Sequence, residues 1–267
     1  MDRLADRVVL VTGSTGIAAA TADRAAAEGA SVFVVSRTKD NARALAERVE
    51  RGAWAAADLT DEAAVDAAVT AAVDRFGHID GLFSAAGGSG RRFGDGPIHS
   101  LTGEAWEATA ALNLRSQVLV CARVVRAMRE QPPDASGIRG SILILGSVTA
   151  AAPVPELFGT HAYAAAKGAL TALMTSMAAT YIRDRIRVNL VAPSLTATPM
   201  ATRAASDPDI LEYAARKQPL AGPLLDPDGV AKAAIYFLSD ESRAVTGQYL
   251  AVDGGWSIVS TSAGPTA

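Results

Sequence analysis

Short runs of β-branched and aliphatic residues alternate with longer alanine-rich stretches along almost the whole chain, and this rhythm constrains the fold more than any single motif. Runs such as Val8-Val9-Leu10-Val11 and Val32-Phe33-Val34-Val35 are apolar without interruption, as strands are when helices cover both faces of a parallel sheet. The pattern predicts strands over 7–12, 31–36, 53–57, 80–85, 140–146, 185–191 and 248–252. Helices are predicted over 16–29, 38–50, 61–76, 103–129, 161–183, 200–217 and 227–239, each long enough for a right-handed crossover. The fold class that follows is α/β, a doubly wound, Rossmann-type, seven-stranded parallel sheet with helices on both faces. Residues 1–257 read as one domain, because the loop-like stretches Arg91–Pro97 and Gln131–Arg139 are short and return to the same alternation. The small residues of 258–267 read as a flexible C-terminal tail.

Composition removes several classes of function. Lys and Arg number 25 against 28 Asp and Glu, without basic runs, so no nucleic-acid partner is expected. Cys121 is the single cysteine and the three histidines, His78, His99 and His161, are scattered, which argues against disulfides and against a metal site. The charged first seven residues lead into an apolar run of four, and no apolar stretch spans a bilayer. The expectation is a cytoplasmic protein with neither signal peptide nor membrane segment.

The first predicted strand runs into Thr12-Gly13-Ser14-Thr15-Gly16-Ile17-Ala18 and then a helix. A helix N-terminus presents unpaired N–H groups and partial positive charge, and glycine lets phosphate oxygens approach the backbone, so a dinucleotide pyrophosphate fits there. The same pattern also fits a tight turn that needs positive φ. At the end of the second strand stands Ser36-Arg37 instead of the acid that would hold ribose hydroxyls. A guanidinium there suits a 2′-phosphate, which favours NADP, with Arg37 as determinant and Lys39 as helper; NAD stays open, as does a solvated Arg37.

Tyr163-Ala164-Ala165-Ala166-Lys167 carries the strongest chemical signal. Residues four apart share a helix face, so an ammonium lies near a phenol and is expected to lower its pKa toward the working range. An ordinary tyrosine packed on a lysine stem is the plainer alternative. Ser147 follows the fifth predicted strand, at the carboxyl edge where parallel sheets bind ligands, and its hydroxyl could stabilise a developing oxyanion.

With these motifs the chain resembles the short-chain dehydrogenase/reductase family, from Leu10 to Trp256. The family's first turn is Thr-Gly-x-x-x-Gly-x-Gly; here one residue is missing between the first two glycines and Ala18 replaces the third, leaving a tighter turn with an extra methyl near the cofactor. The resemblance implies that Gly13, Gly16 and Ile17 hold the pyrophosphate, that Asp58-Leu59 lies beside the adenine, and that Ala86 and Gly87 border the cofactor. Ser84-Ala85 departs from the usual Asn-Asn before that Ala-Gly. The resemblance further implies a catalytic set of Asn113, Ser147, Tyr163 and Lys167, with Tyr163 and Lys167 also touching the cofactor. Pro193, Thr196 and Thr198 match the segment that contacts the nicotinamide carboxamide. The interval from Ser147 to Tyr163 is longer than usual, which points to an insertion within Pro153–Gly159 and keeps Thr149 as a second candidate.

The function implied is an NAD(P)-dependent oxidoreductase transferring a hydride between nicotinamide and a carbonyl or secondary alcohol of a small, partly apolar substrate. Because the first turn and Ser84-Ala85 depart from pattern, a non-catalytic nucleotide sensor or scaffold is the alternative. Gln117–Met128 and Gly168–Thr180 are apolar on more than one stripe, which predicts a homo-oligomer, tetramer or dimer, unless Met174 and Met177 fill the subunit's own core. The stretch Ala201–Ala221 is the expected lid.

Overall fold

A computed structural model describes residues 2–260. Its seven strands are β1 Val8–Thr12, β2 Ser31–Ser36, β3 Gly52–Ala56, β4 Gly81–Ser84, β5 Gly140–Leu145, β6 Ile186–Pro193 and β7 Tyr249–Val252. They form one sheet in the order β3-β2-β1-β4-β5-β6-β7, parallel throughout. The chain steps outward from β1 to β3 and then crosses back, so Thr12 pairs with both Val35 of β2 and Ser84 of β4. The turns leaving β1 and β4 therefore run in opposite senses, which opens a crevice at the carboxyl edge between them.

The helices are α1 Gly16–Ala27, α2 Lys39–Glu47, α3 Glu62–Phe76, α4 Gly103–Ala110, α5 Ser116–Glu130, α6 Pro155–Phe158, α7 His161–Tyr181, α8 Thr202–Ala205, α9 Pro208–Lys217 and α10 Pro227–Leu238. Strand residues alternate between two cores. Val9, Val11, Val32 and Val34 pack with α1, α2 and α10, while Leu10, Phe33 and Val35 face the side covered by α3, α5 and α7. Local chemistry sets helix ends: the Asp61 carboxylate accepts from Ala63 N to start α3, and Gly77 ends it at φ 86°.

Two predicted helices are broken. The stretch 103–129 is interrupted by a π-helical turn, Ala111–Arg115, which widens the backbone around Asn113. The stretch 200–217 divides at Pro208, whose missing N–H cannot continue a helix, and the Asp207 carboxylate caps the new start. Met128, Met174 and Met177 are buried in the subunit's own core, so they fill gaps there and give no support to an intersubunit face. Among the described residues no helix is long and apolar enough to cross a membrane and no side-chain cluster could hold a metal. Most of the expected tail, residues 261–267, lies outside the described residues.

Candidate active site

The carboxyl edge of the sheet opens into a cleft of about 780 Å³. Thr15, Ile17, Arg37, Gly87, Ser147, Thr149, Tyr163, Pro193, Thr196 and Thr198 all line it. Gly13 and Gly16 shape the first turn at φ 97° and 56°, a backbone that other residues adopt at a cost. A Cβ on Gly16 would meet Thr198 Cγ2 at 2.7 Å. Ala18 is buried, and its methyl lies 3.1 Å from where a Cβ on Gly13 would stand, so the extra methyl is packed into the core side of the turn. Thr15 caps α1 without a side-chain hydrogen bond and the first turn carries no acid. That combination of left-handed glycines and an uncapped, positively polarised helix end fits a dinucleotide pyrophosphate.

Other expected cofactor residues lie less directly. Arg37 is exposed on the cleft rim, whereas Lys39 is exposed outside the cleft. Asp58 closes a turn, accepting from Thr60 N at 2.9 Å and Thr60 Oγ1 at 2.7 Å; these bonds, with lesser help from nearby Arg37, hold its carboxyl below the ordinary range. Leu59 is buried in the core. Neither lines the cleft. Ala86 N and Ala85 N both donate to Thr12 Oγ1, at 3.0 and 2.9 Å, which fixes the β4 exit next to the first turn. Ser194 adopts no positive φ, and its buried Oγ has no protein partner.

Ser147 and Tyr163 come to the same cleft from either side of the insertion, near enough for the Ser147 hydroxyl to act on the phenol. Thr149 Oγ1 donates to Ser147 Oγ at 2.9 Å, and both hydroxyls line the cleft. Behind them Lys167 is buried, donating to the Leu145 carbonyl at 2.7 Å, with its Nζ 5.7 Å from the Tyr163 ring centre. Asn113, fully buried, accepts from Gly88 N at 3.0 Å and donates to the Thr109 carbonyl at 3.0 Å. A Cβ on Gly87 would stand 2.8 Å from Asn113 Oδ1, which explains glycine at that position.

The electrostatics differ from the sequence expectation in one respect. Burial pushes the Tyr163 phenol up to about 12, opposed by the nearby Ser147 hydroxyl, and burial pulls Lys167 down to about 7. Both shifts share one cause, the desolvation that disfavours a charged phenolate and a charged ammonium alike.

Three features escaped the sequence reading. The buried Asp95 carboxylate accepts from Ala162 N and Tyr163 N, each at 2.9 Å, and so caps α7 from a loop far away in sequence. Gln117, also buried, is satisfied with its amide nitrogen toward Ser84, at 2.8 Å from the carbonyl and 3.2 Å from Oγ, and its oxygen 3.2 Å from Lys167 Nζ. The reverse amide orientation offers only a 3.5 Å contact to the Asn113 carbonyl and leaves donors facing donors. Trp256 packs edge-on against Phe158 and Tyr213 and lines the apolar end of the cleft.

Comparison with known proteins agrees with this geometry. A family model described as enoyl-(acyl carrier protein) reductase matches residues 11–257. The chain is 36% identical to cis-4-hydroxycyclohexanecarboxylate dehydrogenase of Sinomonas cyclohexanicum, over 97% of this chain and 99% of that one. It is 33% identical to levodione reductase of Leifsonia aquatica, covering 96% of each. Among solved structures, 3-ketoacyl-(acyl-carrier-protein) reductase from Brucella melitensis complexed with NADH superposes with a TM-score of 0.84 at 30% identity, over 96% of this chain and 100% of that one.

Proposed function

The chain belongs to the short-chain dehydrogenase/reductase family, and on that premise we propose how its own residues perform the chemistry. It is an NAD(P)-dependent oxidoreductase acting on CH–OH and C=O groups. When bound, the dinucleotide supplies or accepts the hydride exchanged with the substrate carbon. Gly13, Gly16 and Ile17 would hold its pyrophosphate, Ala86 and Gly87 would border it at the β4 exit, and Pro193, Thr196 and Thr198 would border its nicotinamide; Asp58 and Leu59, assigned to the adenine by the resemblance, stand outside the cleft.

Tyr163 passes the proton to or from the substrate oxygen. A phenol kept neutral by burial is suited to donate to a carbonyl oxygen as negative charge grows there. Ser147, whose oxygen already accepts from Thr149, directs its own proton toward the same oxygen. Lys167 would hold the ribose hydroxyls and, with Asn113, would keep the proton path ordered. The observation that carries the reading is that Ser147 and Tyr163 line one cleft together with the uncapped N-terminus of α1.

NADP is the preferred dinucleotide in this reading, because the end of β2 offers Arg37 and no acid. The departures that favoured a non-catalytic sensor lose their force: Ser84 is used in the Gln117 contact and both first-turn glycines keep left-handed backbone. Thermal-shift titration with NADPH and NADH, followed by a panel of ketones, tests the function. Stabilisation by NADPH above NADH with turnover is expected; stabilisation without any turnover contradicts the enzyme, and a stronger response to NADH contradicts the role of Arg37.

We further read residues 1–257 as one catalytic domain, located in the cytoplasm, that assembles as a homo-oligomer. Half-exposed Trp106 on α4 and Ile182 at the end of α7 support the assembly.

A further inference from the structure

Two guanidinium groups converge at the cleft, and no carboxylate among the described residues pairs with either. Arg91 belongs to the short turn Gly90–Phe93 after β4, and Arg203 to α8. Both line the cleft, and both donate through Nη2 to one acceptor, the Leu157 carbonyl, at 3.1 and 3.3 Å. Leu157 lies in α6, within the insertion between Ser147 and Tyr163, so the inserted segment is what holds the two arginines together. A single carbonyl oxygen engages one N–H of each five-donor fork and leaves the rest unused.

Neither arginine forms an ion pair among the described residues. Asp95 acts on Arg91 at a distance, but both of its oxygens are taken by the start of α7. Loss of water and then the charge of Arg203 make the Arg91 cation less favourable than an isolated one. A third cation, Arg92, also borders the cleft, stacked 4.5 Å over Phe93. Like charges held together repel, and an anion bound between them turns that repulsion into attraction. Carboxylate oxygens match two guanidinium forks in geometry as well as sign.

Building on the oxidoreductase reading, we propose that Arg91 and Arg203 form an oxyanion clamp that selects ketone or alcohol substrates carrying a carboxylate or a similar acidic group. The rest of the wall, with Leu112, Phe158, Met200 and Trp256, suits an apolar spacer between that acid and the reacting carbon.

The test needs a binding arm and a turnover arm. In the presence of NADPH or NADH, cyclohexanecarboxylate is expected to raise the melting temperature where the neutral cyclohexanecarboxamide does not, and Arg91→Met and Arg203→Met each remove the shift. Cyclohexanesulfonate and cyclohexyl phosphate are run beside them; any of the three oxyanions shifting the wild type through both arginines supports the clamp, and their ranking identifies the acid. For turnover, 3-oxocyclohexanecarboxylate is compared with its methyl ester. The acid is expected to lead by about tenfold in kcat/KM, through KM, and that ratio to collapse toward unity in either variant.

No greater shift from any oxyanion than from the carboxamide contradicts the clamp, as does an acid-to-ester ratio that survives both substitutions. Turnover of neutral ketones without acid preference leaves the oxidoreductase reading standing while removing the clamp. An arginine-dependent shift in a protein that reduces no ketone does the reverse.

Discussion

Lys167 is held as a buried ammonium whose protein partners are neutral oxygens, the Leu145 carbonyl and the Gln117 amide. Its pKa falls to about 7 in the folded chain, against an ordinary 10.5. Between those values the unfolded chain binds the extra proton, so stability rises with pH through that window and the full penalty of the buried charge is present below it. In the protein without dinucleotide, urea unfolding is expected to show wild type gaining up to about 2 kcal/mol from pH 7 to pH 9, a gain absent in Lys167→Met. An identical pH slope in both proteins contradicts the buried-ammonium account. Gln117 supports the charged form, so Gln117→Leu is expected to move the Lys167 limb of the kcat/KM profile to lower pH and to cost about 2 kcal/mol of stability. If the limb stays and only stability falls, Gln117 is a packing residue. Position alone could not reveal this pair in the sequence, because Gln117 reads as one polar residue on an apolar helix and its partner Ser84 ends strand β4, far away in the chain.

At the scale of elements, strands and crossovers were legible because β-branched runs in a sheet covered on both faces have few other uses, and each predicted strand is present within about two residues of its ends. Where the reading failed, the cause was a local feature that periodicity does not register. The π-turn at Ala111–Arg115 leaves the apolar pattern of its helix intact. Pro208 was a readable break, and the alanine-rich run around it concealed it. The start of α7 has no cap of its own, since Thr160 makes no side-chain cap bond, and Asp95 supplies one through tertiary structure. Asp95→Ala is therefore expected to fray the first turn of α7, which carries Tyr163. The expected readings are about 1–2 kcal/mol lost in chemical denaturation and a larger proportional loss in kcat than in dinucleotide affinity. Equal loss of both, or neither, contradicts a role in placing Tyr163.

For the whole molecule, the strand-order reversal between β1 and β4 is what gathers the first turn, the β4 exit and the β5 end around one cleft. The proposed pair of Tyr163 and Lys167 was readable because they are four apart, and Ser147 because it follows a strand, whereas Arg91, Arg203 and Trp256 meet only through the folded chain. Half-exposed Trp106 and Ile182 also act at this scale, and light scattering at micromolar concentration is expected to give a mass above that of one 27.4 kDa chain; a monomer contradicts the assembly. The central claim is that the Tyr163 hydroxyl carries the proton in a cleft that binds the dinucleotide independently of it. Tyr163→Phe tests it most directly, with turnover of an established ketone and dinucleotide affinity measured on the same preparation. The account predicts a fall in kcat of about 10²–10⁴ with affinity changed by only a few-fold; ordinary turnover by the phenylalanine variant contradicts it.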